Sequence, residues 1–299
     1  MKTAVAETPV LPVERSLTMA DFAELVKARL TMLVVVTTAV GFYIGWQGPM
    51  NFLALTNAVV GTALAASGAA ALNQWWEHKF DANMHRTRSR PIPAGRMSPR
   101  EALIVGAALC VAGVVYLAIS VNSLGAILAA LTIALYIFAY TPLKRISTTN
   151  TLVGAIPGAI PPVIGWVAAG NTIDAGAWSL FAILFLWQMP HFFALAWMYR
   201  DDYARAGFRM MSGDDETGLR SSSQSVLFCI LLLVVAAIPS YLGLTTVVYL
   251  PIALALSGWF VAMAMRFHKE RTPRNARALF LCSITYLPLL LAALVLTKQ

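Results

Sequence analysis

The chain has 299 residues, 59% of them hydrophobic and 12% charged, with a formal net charge of +8. Soluble domains carry about a quarter of their residues as charges; half that share, with a mean hydropathy of +0.69, excludes a water-soluble fold and directs the reading to the membrane class. No stretch between apolar segments is much longer than about 25 residues, too short to bury a core of its own, so no separate soluble domain is expected.

Residues 1–28 are polar and mixed in charge, with Glu7, Glu14, Asp21 and Glu24 among them. Transit peptides are poor in acids, so these residues argue against an import signal. Pro9 and Pro12 favour an extended or disordered segment. The segment reads as a short cytoplasmic N-terminal tail, followed by a single transmembrane domain over 29–299.

A helix needs about 20 apolar residues to cross the hydrocarbon core. In chain order the candidates are 29–46, 52–72, 102–120, 123–143, 151–169, 176–198, 225–243, 246–265 and 277–297. They are uniformly apolar without strand-like alternation, which excludes a membrane barrel. The expected fold is therefore all-α, a polytopic membrane protein with nine transmembrane helices. Cys110, Cys229 and Cys282 each fall inside an apolar segment and form no CxxC pair, as buried small apolar residues would.

The connections alternate in charge. Four carry no Lys or Arg, and the tail and the other four carry 21 of the 22 basic residues, leaving Lys298 alone on the opposite side. Cytoplasmic connections retain Lys and Arg, so the N-terminus is expected in the cytoplasm and the C-terminus across the membrane. The excess charge is thus a topology signal and an attraction to anionic membrane lipid, and no nucleic acid partner is expected.

Thirteen of the fourteen acids share the basic side, Asp174 being the exception. Asn73, Glu77 and Asp81 follow the second span at i, i+4 and i+8, so each step along a helix turns the face by only about 40°. Such a stripe of oxygens suits a hard divalent ion; it also fits an ordinary solvated helix end. Asp201 and Asp202 stand in an equivalent place after the sixth span, four helices later, which suggests an internal repeat with a shared site. Arg86, Arg88 and Arg90 flank the first cluster, Arg205 and Arg209 the second. Carboxylates with Mg²⁺, together with Arg and Lys, are what a diphosphate requires.

Four strings carry a resemblance. They are Asn73-x-x-x-Glu77-x-x-x-Asp81-x-x-Met84-x-Arg86-Thr87-x-x-Arg90-Pro91; Tyr140-Thr141-x-Leu143-Lys144-Arg145 with Asn150 and Gly154; Gly158-Ala159-x-Pro161-Pro162-x-x-Gly165-Trp166; and Trp187-Gln188-x-Pro190-His191-Phe192, leading into Asp201-Asp202-Tyr203. Together they resemble the UbiA superfamily of intramembrane prenyltransferases, and with Glu77 in place of the more usual Asp, its haem-farnesylating branch. The resemblance runs from about Lys27 to the ninth helix. It implies a UbiA-like helical bundle of two four-helix pseudo-repeats in a bacterial inner membrane. It implies catalytic, Mg²⁺-binding roles for Asn73, Glu77, Asp81, Asp201 and Asp202, and diphosphate contacts from Arg86, Arg90, Tyr140, Lys144 and Arg205. The substrates it implies are farnesyl diphosphate and haem b, haem being a substrate and not a cofactor, with room for a downstream haem-modifying or oxidase-assembly protein as partner. Two departures stand out. Tyr199 and Tyr203 occupy the outer places of the superfamily's usual Asp-x-x-x-Asp, and a Met-Leu-Pro run is replaced after Gly207, where Asp214, Asp215 and Glu216 read as surface charges.

His191 lies about eight residues inside the sixth span, roughly 12 Å deep at 1.5 Å per residue. An intramembrane ionisable residue is a functional candidate, and Pro190 before it should free a carbonyl. Haem-iron ligation, a hydrogen bond across the bundle and polarisation of substrate all fit. The rival functions are a UbiA-type enzyme with a quinone-precursor or chlorophyllide acceptor, and a transporter. Glu77 and the Trp187–His191 string weigh against the first; the lack of Asp, Glu or Arg inside the spans weighs against the second.

Overall fold

A computed structural model describes residues 17–299. Most of the 1–28 tail, Pro9 and Pro12 included, lies outside the described residues. The elements are α1 Met19–Leu25, α2 Ala28–Gly45, α3 Phe52–Asp81, α4 Pro99–Ser120, α5 Ser123–Leu143, α6 Asn150–Ala168, α7 Ala175–Met198, α8 Arg200–Arg205, α9 Leu219–Tyr241, α10 Tyr249–Lys269 and α11 Pro273–Leu296. Among the described residues, nine of these, all but α1 and α8, are long and apolar enough to cross a membrane.

The observed spans match the apolar segments in number but several run further into polar sequence. α3 continues nine residues past the apolar limit at 72, α9 starts at Leu219 instead of 225, and α11 starts at Pro273 instead of 277. Hydropathy marks where lipid is met, whereas the helix ends where its caps are. Ser98 and Glu101 form a reciprocal cap ahead of α4, and Thr272 caps α11 just before Pro273.

Neighbouring spans pack antiparallel, α3 against α4 and α10 against α11, while α7 is held between α6, α9 and α11. Without water to drive association in lipid, close backbone approach matters, and small residues permit it. Gly61, Ala65 and Gly68 of α3 face Gly113 and Gly106 of α4 in such a seam. In the α2–α6 pair a Cβ on Gly165 would overlap the Thr38 carbonyl oxygen, and one on Gly41 would overlap the Pro162 carbonyl. Gly165→Leu is therefore expected to lower the melting temperature in detergent, with an overpacking cost of at least about 1–3 kcal/mol. Gly258→Leu, where a Cβ meets nothing, should leave it unchanged.

Asp174 and Lys298, the two charges set apart from the rest, have structural roles. Asp174 caps α7, accepting from the backbone N–H groups of Gly176 (2.9 Å) and Ala177 (3.2 Å). Lys298 donates to the Trp46 carbonyl at 2.5 Å, its ammonium 4.7 Å from the Tyr43 ring centroid.

Candidate active site

At 1.5 Å per residue, the 30 residues of α3 extend about 45 Å, longer than the roughly 30 Å hydrocarbon core. Its final turns carry Asn73, Glu77 and Asp81 on one face of a single continuous helix, and all three are buried. Burial rules out the ordinary solvated helix end.

Each of these oxygens meets a base. The Lys27 ammonium donates to Asn73 Oδ1 at 2.7 Å, Lys144 donates to both Glu77 oxygens at 2.8 and 3.1 Å, and Arg90 pairs with Asp81 at 2.6 Å. Local structure aims each of them. Lys27, with φ 48°, is the one non-glycine residue in left-handed conformation among the described residues. That strained turn between α1 and α2 directs its side chain inward, the kind of strain that gathers at functional sites. Lys144 follows a π-helical stretch, Leu135–Tyr140. Pro142 has no N–H for the Phe138 carbonyl, and the widened turn lets the Thr141 hydroxyl donate to the Tyr136 carbonyl at 2.8 Å. Asn73 Nδ2 donates in turn to Thr141 Oγ1 at 3.0 Å. The Tyr140 ring lies 4.5 Å from the Lys144 ammonium.

Electrostatics separates the two lysines. Burial works against the charge on Lys144, but the Glu77 carboxylate outweighs it and holds the ammonium above its ordinary range. Lys27 is pulled down to about 7 by burial first, then by repulsion from Arg90 and Lys144.

The second acidic set is arranged differently. Asp202 is buried, accepting from the backbone N–H groups of His85 (3.3 Å) and Arg86 (3.4 Å) and pairing with Arg205. Burial opposes its charge, and these donors overcome it, keeping the carboxyl below the ordinary range. The side chain of Asp201 is 87% exposed, its nearest base Arg200 at 3.9 Å. The Arg86 guanidinium lies 5.5 and 5.8 Å from the ring centroids of Tyr199 and Tyr203. The tyrosines at the departing positions therefore hold an arginine by cation–π attraction. Asp202 and Arg86 join the loop after α3 to the end of α7, so the two acidic segments do meet.

Among the described residues no three His, Cys, Asp or Glu side chains converge closely enough to hold a metal by themselves. Mg²⁺ is more often held by one or two carboxylates plus water and substrate phosphate. The all-oxygen set of Asn73, Glu77 and Asp81 fits an ion shared with a diphosphate.

On its membrane side the same α3 face is apolar. Thr62, Ala65, Ala66 and Ala69 continue the i+3/i+4 stripe toward the bilayer and line a narrow crevice of about 30 Å³, flanked by Val34 and Ile164. A charged head and an apolar slot thus share one helix face.

The family model described as UbiA prenyltransferase family matches residues 34–291. The chain belongs to the UbiA prenyltransferase family. A protoheme IX farnesyltransferase from Solibacter usitatus is 44% identical over 289 residues, covering 94% of this chain and 99% of that protein. In fold, the chain superposes on a digeranylgeranylglyceryl phosphate synthase structure at TM-score 0.78 with 15% identity, over 93% of this chain and 98% of that one. A UbiA homolog from Archaeoglobus fulgidus bound to GPP and Mg²⁺ gives 0.66 with 13% identity, over 92% and 99%. The protein is thus a multi-pass membrane prenyltransferase of the UbiA family.

Of the residues the motifs single out, Asn73, Glu77, Asp81, Arg90, Tyr140 and Lys144 gather at one point, with Arg86, Asp202 and Arg205 at its rim. Asp201 faces outward, and His191 turns toward α11, its ring 4.8 Å from Phe280. Lys27 escapes sequence reading because only its backbone conformation brings it inside. The loop after Gly207 covers the site: Arg209 N–H donates to the Lys144 carbonyl at 2.6 Å, and Asn150 Nδ2 to the Arg209 carbonyl at 2.7 Å. Asp215, expected as a surface charge, is buried and caps α9 through the N–H groups of Arg220 (3.2 Å) and Ser221 (2.7 Å). An acid a few residues before an apolar run was the signal for it.

Proposed function

We propose that the protein transfers a farnesyl group from farnesyl diphosphate to a vinyl group of haem b, giving haem O for haem A and terminal oxidase assembly. The observation that carries this reading is the α3 face, where buried acids and bases sit directly above an apolar crevice. Its head suits a diphosphate, and the narrow apolar crevice marks the seam that would widen to take a prenyl tail. The haem acceptor follows the name of the 44% identical relative.

Asn73, Glu77 and Asp81 would hold Mg²⁺, with Asp201 and Asp202 as the second set, and the ion would neutralise charge on the diphosphate. Lys27, Arg90 and Lys144 would turn their donors from Asn73, Asp81 and Glu77 to phosphate oxygens, with Arg86 and Arg205 at the rim. The carbon–oxygen bond breaks and its electron pair leaves with the diphosphate, whose charge these bases stabilise. The stacked rings of Tyr136 and Tyr140, 5.3 Å apart, present π faces beside the allylic cation. The terminal vinyl carbon of haem attacks that cation. Water adds to the resulting haem-side cation and loses a proton, leaving the hydroxyethylfarnesyl group. The apolar crevice keeps bulk water from the farnesyl cation. His191 is the candidate haem ligand.

The active unit is the membrane domain over 29–299 together with Lys27 from the tail, placed in a bacterial inner membrane with the site on the cytoplasmic side, the N-terminus cytoplasmic and the C-terminus opposite. Both apolar substrates enter from membrane lipid, and the product passes to a downstream haem-modifying or oxidase-assembly protein.

The test is to incubate purified protein with Mg²⁺, farnesyl diphosphate and haem b, and to look for farnesylated haem by mass spectrometry. Product with an aromatic acid or chlorophyllide and none with haem would move the acceptor; transport without diphosphate release would discard the reading. Thr62→Phe fills the end of the crevice remote from Asn73. It should raise KM for farnesyl diphosphate by about 10–100-fold and spare the shorter geranyl diphosphate; equal loss for both would place the tail elsewhere.

A further inference from the structure

Two contacts staple α7 to α11 through one residue, and a third fixes that residue within α11. The Trp187 indole N–H donates to the Ser283 carbonyl at 2.8 Å, His191 Nδ1 lies 2.8 Å from Ser283 Oγ, and Ser283 Oγ lies 2.6 Å from the Phe280 carbonyl oxygen. The last distance decides the direction of the second. A serine hydroxyl has one proton, and a carbonyl oxygen has none. Two oxygens at 2.6 Å need that proton between them, so the Ser283 hydroxyl donates to Phe280. Toward His191 it can then only accept, and Nδ1 must be the protonated nitrogen. Nε2 is left with its lone pair and with no hydrogen-bond partner among the described residues. The ring is half-buried, and Nε2 is not among the buried polar atoms. The imidazole is further locked by Trp187 (5.4 Å, 27° between planes) and Phe280 (4.8 Å, 30°). Ser283 itself is fully buried.

We infer that Ser283 is a positioning residue for haem: its hydroxyl holds His191 as the Nδ1–H tautomer and presents Nε2 as the iron ligand. This rests on the reading of His191 as the haem ligand. A ligating histidine commonly donates its other ring N–H to an oxygen, which fixes the ring and raises its basicity. Here the acceptor is a hydroxyl whose own proton is committed within α11, so the register of α11 against α7 sets the tautomer. The same contact makes haem affinity depend on the α7–α11 seam and not on the acid–base cluster.

The test compares two side chains of equal size. Ser283→Thr keeps the hydroxyl and Ser283→Val replaces it with a methyl group. Bound haem b is followed by its Soret and electron paramagnetic resonance spectra, its Kd and its reduction potential. Ser283→Thr should match the parent protein. Ser283→Val should weaken haem binding by about 10–100-fold and move the potential upward, since the ligand becomes less basic, with KM for farnesyl diphosphate unchanged. His191→Ala should abolish the imidazole-ligated spectrum. If His191→Ala leaves that spectrum intact, the ligand reading fails. If His191→Ala abolishes it while Thr and Val at 283 give the same affinity and potential, the ligand reading stands and the role of Ser283 is overturned.

Discussion

Glu77→Gln is expected to reduce turnover by about 10²–10³-fold, the usual loss when one preorganised electrostatic group at a reacting centre is removed. The substitution keeps size and a hydrogen-bonding oxygen and removes one charge. Two effects add. The oxygen set of Asn73, Glu77 and Asp81 loses a carboxylate that would share Mg²⁺ with the diphosphate, and Lys144, 2.8 Å away, loses the counter-charge that keeps it ionised where it is buried. Breaking one side of a buried pair is costly because the other charge remains, so stability should fall together with activity. Lys144→Met in the Glu77→Gln background removes the stranded charge and should recover stability without recovering turnover. Initial rates and thermal melts of the two single variants and the double variant provide the check. Recovery of turnover in the double variant would mean that Glu77 serves only to neutralise Lys144.

Asp202→Ala is expected to be nearly as severe, by a different route. Its carboxylate is the buried acceptor for two backbone N–H groups at 3.3 and 3.4 Å in the loop that bears Arg86 and Arg90. Hydrogen bonds to a charged group contribute about 1.5–3 kcal/mol each, so with both lost the loop should move and carry both arginines with it. KM for farnesyl diphosphate should rise along with a fall in kcat, and cleavage by added protease after Arg86 or Arg88 should accelerate. Asp202→Asn keeps one of the two acceptor oxygens, so it should hold one of these N–H groups and loosen the loop less than Asp202→Ala. Asp201→Asn, on an exposed side chain, separates ligation from scaffolding: loss of turnover with an intact loop would assign Asp201 to metal. Asp202→Ala with unchanged proteolysis would refute the scaffold role of Asp202.

The difference between these acids marks how far sequence reaches. Nine apolar runs and their alternating charge are written in residue type, because lipid selects for them position by position. The Asn73–Glu77–Asp81 stripe is legible because helical periodicity is local. The role of Lys27 was not legible, since it depends on one left-handed residue. Nor was the fate of Asp202 and Asp215, both consumed by backbone N–H groups that only the folded loops bring near. Tyr199 and Tyr203 read as lost ligands in the sequence; the structure gives them Arg86 instead. The crevice beside Ala69 left no residue-type signal beyond small size, and its outline depends on three other helices.

The bond from Lys298 to the Trp46 carbonyl joins the ends of the first and last spans, which also touch as helices. During synthesis those spans enter the membrane at opposite ends of the process. The contact between α2 and α11 therefore forms only after the ninth span has been released into the bilayer. Until then, α2, which follows directly on Lys27, has a free flank.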